Sequence, residues 1–448
     1  MAAGKGAAHS FATIILVTSF AFCGLALGAQ SPPPLPGTLQ LLVDQVLKHN
    51  PGLQAQRARV AAAGQAPSQA HALPDPTADV EFMNVAVNHP SLSDSLTKSV
   101  SVGVTQVLPF PGKRALLRER AMGEAEVESA KLKAMESDLR ARAIEAAYRF
   151  TLAQRLLDLN LQTQDALSAA AKGAEGTYAS GTGTQADVLL AQTAMTRALA
   201  DRQDLEQQRD IALEEIGRLA GGPTDSEGLA ALPLPEPGPL PAFEELVQGL
   251  AASAPAVLAA RAEEPVRESE VALARKNFKP DFMVGARYRR DDMSMGGGDY
   301  LTATFGVTLP FFHAKDRYRP ALQEAFDLRE SARLEAQDAL VSSRYDLAEA
   351  FQRALRDLRV FQLGQGGLLI QARQAYESAL ASYAVGKADF STLLTALTNL
   401  YAYQAETLSA QADYQGAVAR VEAVLGKALP PALPSEAAPK PDTVEDKK

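Results

Sequence analysis

Landmarks in the first half of the chain recur in the second half at a nearly constant spacing. Asn50-Pro51-Gly52-Leu53, with Ala55 and Arg57, returns as Ala254-Pro255-Ala256-Val257, with Ala259 and Arg261, 204 residues later. Leu73-Pro74-Asp75 returns as Lys279-Pro280-Asp281 after 206, and Leu108-Pro109-Phe110 as Leu309-Pro310-Phe311 after 201. Tyr178-Ala179-Ser180-Gly181 returns as Tyr383-Ala384-Val385-Gly386, and Gly221 as Gly426, both after 205. A fixed period is the signature of a repeated structural unit. The chain therefore divides into one unit over 30–220 and a second over 242–428. The linker 221–241 is rich in Pro and Gly and cannot be helical throughout.

Each unit has one internal order. A helix of about 30 residues comes first (39–70, then 242–276). Two strands follow: 77–88 and 97–108 in the first unit, 281–290 and 300–309 in the second. A long helix, a glycine-marked tip (176–185, then 383–390) and a return helix complete the unit. The strands are predicted from period two. Val100, Val102, Val104 and Leu108 alternate with Ser99, Ser101, Gly103 and Thr105. Leu301, Ala303, Phe305, Val307 and Leu309 alternate with Tyr300, Thr302, Thr304, Gly306 and Thr308. Phe282, Val284, Ala286 and Tyr288 face away from Arg287 and Arg289, whereas 77–87 alternates less well. An apolar face opposite a small polar face suits a membrane barrel with a wet lumen. Two hairpins can neither build a core nor close a barrel, so they require strands from another chain.

The long helices are predicted to pack as coiled coils. Leu132, Met135, Leu139, Ala143, Ala146, Phe150, Ala153 and Leu157 follow steps of three and four. A helix from Gly112 to Gly176 spans on the order of 95 Å.

Residues 11–28 carry no charge, follow a Lys-bearing start and end among small residues. That is the pattern of a cleaved secretory signal over 1–29. An uncleaved anchor helix is the alternative, and a third reading makes Cys23 a lipidation site, although Phe20-Ala21-Phe22 fits poorly before it. No later segment is apolar enough to cross a bilayer as a helix, so a membrane-embedded mature chain must be a β-barrel. The net charge of −9 argues against a nucleic-acid partner. One Cys and five scattered His argue against a disulfide framework and a metal centre. There is no GxSxG, P-loop or dinucleotide fingerprint, so no catalysis and no cofactor are expected. The Pro-rich, charged tail 429–448 is expected to be disordered.

Taken together, these motifs resemble the TolC family of bacterial outer-membrane efflux factors over about residues 39 to 428. The resemblance rests on Asn50-Pro51, Leu73-Pro74-Asp75-Pro76, the run Gln106-Val107-Leu108-Pro109-Phe110-Pro111-Gly112-Lys113-Arg114, and the paired Tyr178-x-x-Gly181 and Tyr383-x-x-Gly386. It implies a mostly α, α+β membrane protein. Three chains, with four strands each, would form an outer-membrane β-barrel continuous with a periplasmic α-helical barrel in a Gram-negative bacterium. It further implies a passive export duct rather than an enzyme, working with a periplasmic adaptor (membrane fusion protein) and an inner-membrane pump. The Leu-Pro-Phe-Pro-Gly-Lys-Arg junction is similar to that of members paired with heavy-metal and resistance-nodulation-division pumps. A periplasmic coiled-coil scaffold or the adaptor itself is the rival reading. It is disfavoured because an adaptor typically carries one helical hairpin, not two.

The resemblance also assigns sites. Ser180, Gly181, Thr182, Val385, Gly386 and Lys387 are the adaptor-docking candidates. Two acidic positions of the family's pore constriction fall here on Thr392 and Thr395, which implies a hydroxyl-lined constriction of weaker cation preference. Asp187 and Tyr383 match an interhelix hydrogen bond that helps hold the tube closed, whereas Ala186 and Ala388 replace a second link. Pro109, Pro111, Gly112, Lys113 and Arg114 form the barrel–helix junction. There Lys113 and Arg114 are expected to face solvent or outer-membrane lipid headgroups rather than bind phosphate.

Overall fold

A computed structural model describes residues 37–82, 99–224, 226–291 and 298–429. The predicted signal, Cys23, the outer ends of the first two strands, the centre of the second hairpin tip and the C-terminal tail lie outside the described residues.

Each unit opens with a broken helix rather than one continuous rod. In the first, α1 (Gly37–His49), α2 (Pro51–Ala63) and α3 (Ala66–His71) replace the expected 39–70 helix. Proline lacks an N–H and is tolerated only at a helix start, so the chain is interrupted before Pro51. Asn50 caps the new start by accepting from Leu53 N at 3.0 Å, and its amide donates to the Leu219 carbonyl at 2.9 Å. The strands follow as β1 (Thr77–Phe82) and β2 (Ser99–Leu108), then α4 (Lys113–Ala179) and α5 (Gln185–Ala220).

After a one-turn helix α6 (Ser226–Ala230), the linker runs along the last helix of the chain. In the second unit, α7 (Phe243–Ser253), α8 (Pro255–Arg261) and α9 (Glu263–Lys276) break at Pro255 in the same way. Then come β3 (Phe282–Asp291) and β4 (Gly298–Val307), the latter two residues earlier than the sequence predicts. A 3₁₀ turn at Pro310–His313 and a π-helical turn at Ala314–Tyr318 lead into α10 (Arg319–Leu363). A second π-helical turn, Gly364–Leu368, separates α10 from α11 (Leu369–Ala384), and α12 (Phe390–Leu425) closes the chain. The long helix is therefore continuous only in the first unit. Gly364, Gly366 and Gly367 lower helix propensity where the second is interrupted.

The duplication is visible as a repeated close contact. A side chain at Gly221 would strike the His49 carbonyl at 2.6 Å, and one at Gly426 would strike the Ser253 carbonyl at 2.5 Å. Both glycines also sit at positive φ, 74° and 67°. Only glycine allows each return helix to end against its unit's first helix.

The 67 residues of α4 extend about 100 Å. The predicted seam is buried, from Leu139 and Ala143 through Phe150 to Leu157. Ala141, Ile144, Ala147 and Tyr148 are buried too, because α4 lies between α5 on one side and α12 on the other. Small residues let three long helices approach closely along this layer. The linker is pinned to one face of α12: Tyr414 donates to the Gly238 carbonyl at 2.6 Å, and Gln411 to that of Leu234 at 2.8 Å.

Candidate functional site

The two hairpins form one antiparallel sheet in the order β1-β2-β3-β4. Its middle seam, β2 against β3, joins the two units. The registers place Val80, Val102, Tyr288 and Leu301 in one row, and Ala78, Val104, Ala286 and Ala303 in the next. β1 therefore obeys the alternation that its sequence showed only weakly. This apolar face is uncovered: Leu301 is 80% exposed and Phe305 69%. Among the described residues, β1 and β4 each have one edge without a strand partner.

The opposite face is more polar and carries a charged construction. Asp79, Gly103 and Arg287 are direct neighbours across three strands. Arg287 pairs with Asp79 at 2.6 Å and also with Glu81. Ser101, almost fully buried, accepts from Arg287 at 3.3 Å. Sequence reading placed Arg287 on this face, but its partners required the sheet order.

The junction corrects the expectation for its cations. Lys113 is buried, and its ammonium donates to both carboxylate oxygens of Asp281, at 2.9 and 3.0 Å. Asp281 also accepts from Phe110 N at 2.7 Å. A lysine is seldom buried without such a partner. Arg114 turns to the His71 carbonyl at the end of α3, donating from Nε at 2.7 Å. A carbonyl at a helix C-terminus attracts a cation. Lys113 is thus turned inward, whereas Arg114 stays half-buried at the end of α3. Pro109 and Pro111 end the strand, and Gly112 turns the chain at φ 86° into α4.

The two tips share a backbone. Gly181 and Gly386 sit at φ 75° and 71°, with open space where a side chain would be. Their glycine is required by conformation, not by crowding. Ser180, Thr182, Val385 and Lys387 are exposed around them, with Ser180 and Thr182 hydroxyls 2.9 Å apart. Asp187 is used locally: its carboxylate accepts from Thr184 N at 3.1 Å and from Thr184 Oγ1 at 2.9 Å, capping α5. Tyr383 meets Thr177 instead, hydroxyl to hydroxyl at 3.3 Å, and its ring packs edge-on against Phe390. Within one chain the tips are thus joined through Thr177 and Tyr383, not through Asp187. Thr392 and Thr395 are exposed on α12, and Leu393 and Leu397 are buried beside them.

One charged site was not anticipated. A cleft of about 340 Å³ lies between α4, α10 and α12, on the face of α12 away from the linker. Glu145, Arg149, Asp357, Asp413 and Arg420 are among its walls. Asp357 is buried and paired with Arg356 at 2.5 Å. Burial, aided by the Asp357 carboxylate, pushes Asp413 above the usual carboxylate range, and burial raises Glu145 likewise. No spacing in the sequence joins these residues, which come from three helices far apart in the chain. Among the described residues no group of three His, Cys, Asp or Glu is placed to hold a metal ion, and no helix is long and apolar enough to cross a membrane.

The sequence profile described as "Outer membrane efflux protein" matches residues 42–222 and 246–427, which covers both units and most of the chain. The chain belongs to this family. Members of the outer membrane efflux protein family are transport channels, and this member is accordingly not an enzyme. The cobalt-zinc-cadmium resistance protein CzcC of Cupriavidus metallidurans is 24% identical over 349 residues, covering 75% of this chain and 80% of that protein. A membrane protein from Pseudomonas aeruginosa shares the fold with a TM-score of 0.73 at 20% identity, over 88% of this chain and 91% of its own. The outer membrane channel CmeC of Campylobacter jejuni does so with a TM-score of 0.73 at 13% identity, over 90% and 91%. The outer membrane efflux protein profile breaks between residues 222 and 246, where the linker crosses α12.

Proposed function

We propose that three copies of this chain form a passive exit duct in the outer membrane of a Gram-negative bacterium. Four strands from each copy close a twelve-stranded barrel, and the long helices continue it as a periplasmic tunnel. The observation that carries this reading is the single four-stranded sheet with a bare apolar face and two open edges, mounted on a helix of 67 residues. Such edges template further pairing unless they are closed, and ring closure removes them.

In this reading the duct serves a tripartite efflux system. An inner-membrane pump, of the resistance-nodulation-division type by the junction motif, supplies the energy. A periplasmic adaptor docks on the glycine tips around Ser180, Gly181, Thr182, Val385, Gly386 and Lys387. Thr392 and Thr395 line the constriction, and Tyr383 with Thr177 and Phe390 holds the inner end in its resting form. Adaptor binding then shifts the population toward the open form. The cargo is small molecules; the resemblance to a cobalt-zinc-cadmium resistance protein favours divalent metal ions among them.

The test is the mass and location of the native protein, extracted with mild detergent from separated inner and outer membranes. A three-chain complex in the outer-membrane fraction is expected. A soluble or inner-membrane monomer would end this reading.

A further inference from the structure

The seam in the middle of the sheet is a template for its two open edges. β2 and β3 belong to different units, and their seam is locked at its helical end by Asp281. This carboxylate holds both the Phe110 N–H and the Lys113 ammonium. By the repeat, β1 is the counterpart of β3, and β4 of β2. Asp281 then corresponds to Asp75 and Phe110 to Phe311. Lys113 corresponds to Lys315 with one extra residue, which falls in the 3₁₀ and π-helical turns ahead of α10.

Asp75 and Lys315 are both exposed, and neither makes an ion pair with another described residue of its own chain. The pairing of Leu108 with Phe282, carried over by the same offsets, also sets a register between β4 of one copy and β1 of the next. It pairs Val307 with Ala78, Phe305 with Val80 and Ala303 with Phe82. All six lie on the apolar face. A slip of one residue would set apolar against polar, so the carried-over register keeps the apolar face continuous between copies.

We propose that Asp75 of one copy clasps the next copy, accepting from its Lys315 ammonium and its Phe311 N–H, and that this contact repeats around the ring. The inference rests on the three-copy reading above. It names the residues that bring the copies into register at the junction between barrel and tunnel.

The test is a cysteine pair, Asp75→Cys with Lys315→Cys, in the full chain. Within one chain these positions flank opposite edges of the sheet, three strand spacings or about 14 Å apart. A disulfide needs Cα atoms within about 7 Å, so a bond can form only between copies. Mild oxidation is expected to give linked dimers and trimers in the double variant, and only the wild-type background in either single variant. A double variant that runs as a three-chain complex without linked species overturns the clasp and leaves the duct reading intact. A monomer in detergent overturns both. Asp75→Lys is expected to lower the temperature at which the complex dissociates in SDS, and Lys315→Asp added to it to restore that temperature. A loss that persists in the charge-swapped pair also overturns the clasp.

Discussion

Arg287 on β3 reaches Asp79 on β1 over the backbone of Gly103 on β2, closing to 2.6 Å across the width of three strands. The reach depends on what Gly103 lacks. A β-carbon there would lie 2.9 Å from Asp79 Oδ1 and 3.2 Å from Arg287 Nε. Gly103→Val is therefore expected to push the pair apart and destabilise the sheet by about 1–3 kcal/mol, as overpacking does. Heat-induced mobility shift on SDS gels checks this. Arg287→Ala removes the pair without overpacking and is expected to cost less, because the group is partly exposed.

The junction pair differs from the many surface pairs in what surrounds it. Asp281→Ala strands the buried Lys113 ammonium and leaves the Phe110 N–H without its acceptor. Breaking a fully buried pair from one side costs about 3–5 kcal/mol, and with Asp281 30% exposed the loss here is expected to be smaller, about 2–3 kcal/mol. Glu136→Ala, which breaks the exposed pair with Arg57 at 3.0 Å, is expected to cost about 0–1 kcal/mol. Denaturant unfolding of both variants gives the comparison, and equal costs would contradict the burial argument.

The cleft carboxylates make stability depend on pH with a definite sign. Asp413 and Glu145 are held above their ordinary values of 3.8 and 4.5, chiefly by burial. The folded chain therefore retains protons that the unfolded chain has released, and stability falls as pH rises from those ordinary values through the raised ones. Asp357, Arg356 and Arg149 are the charged groups that act on Asp413. Asp413→Asn is expected to raise the melting temperature modestly at neutral pH, with the gain shrinking toward pH 4. Thermal melts at both ends of that range decide it.

Selectivity tests the constriction. Thr392→Asp with Thr395→Asp is expected to add a carboxylate ring and raise cation selectivity in planar-bilayer recordings. An unchanged reversal potential would remove Thr392 and Thr395 from the pore.

The sequence by itself determined the periodic features: the duplication, the strand alternation, the helix seam on Leu139, Ala143 and Phe150, and the glycines of the two tips. Each depends on spacing along the chain or on the backbone a residue can adopt, and both are local properties. The tertiary structure decided which residues meet across the duplication. It buried Lys113 against Asp281, carried Arg287 over Gly103 to Asp79, and turned charges on three helices into one cleft. It also brought Tyr383 to Thr177 and left Asp187 to cap its own helix. A charged side chain reads alike in sequence whether water or a carboxylate surrounds it. Sheet order and helix neighbours settle that, because they join residues far apart in the chain and set how much water each one keeps.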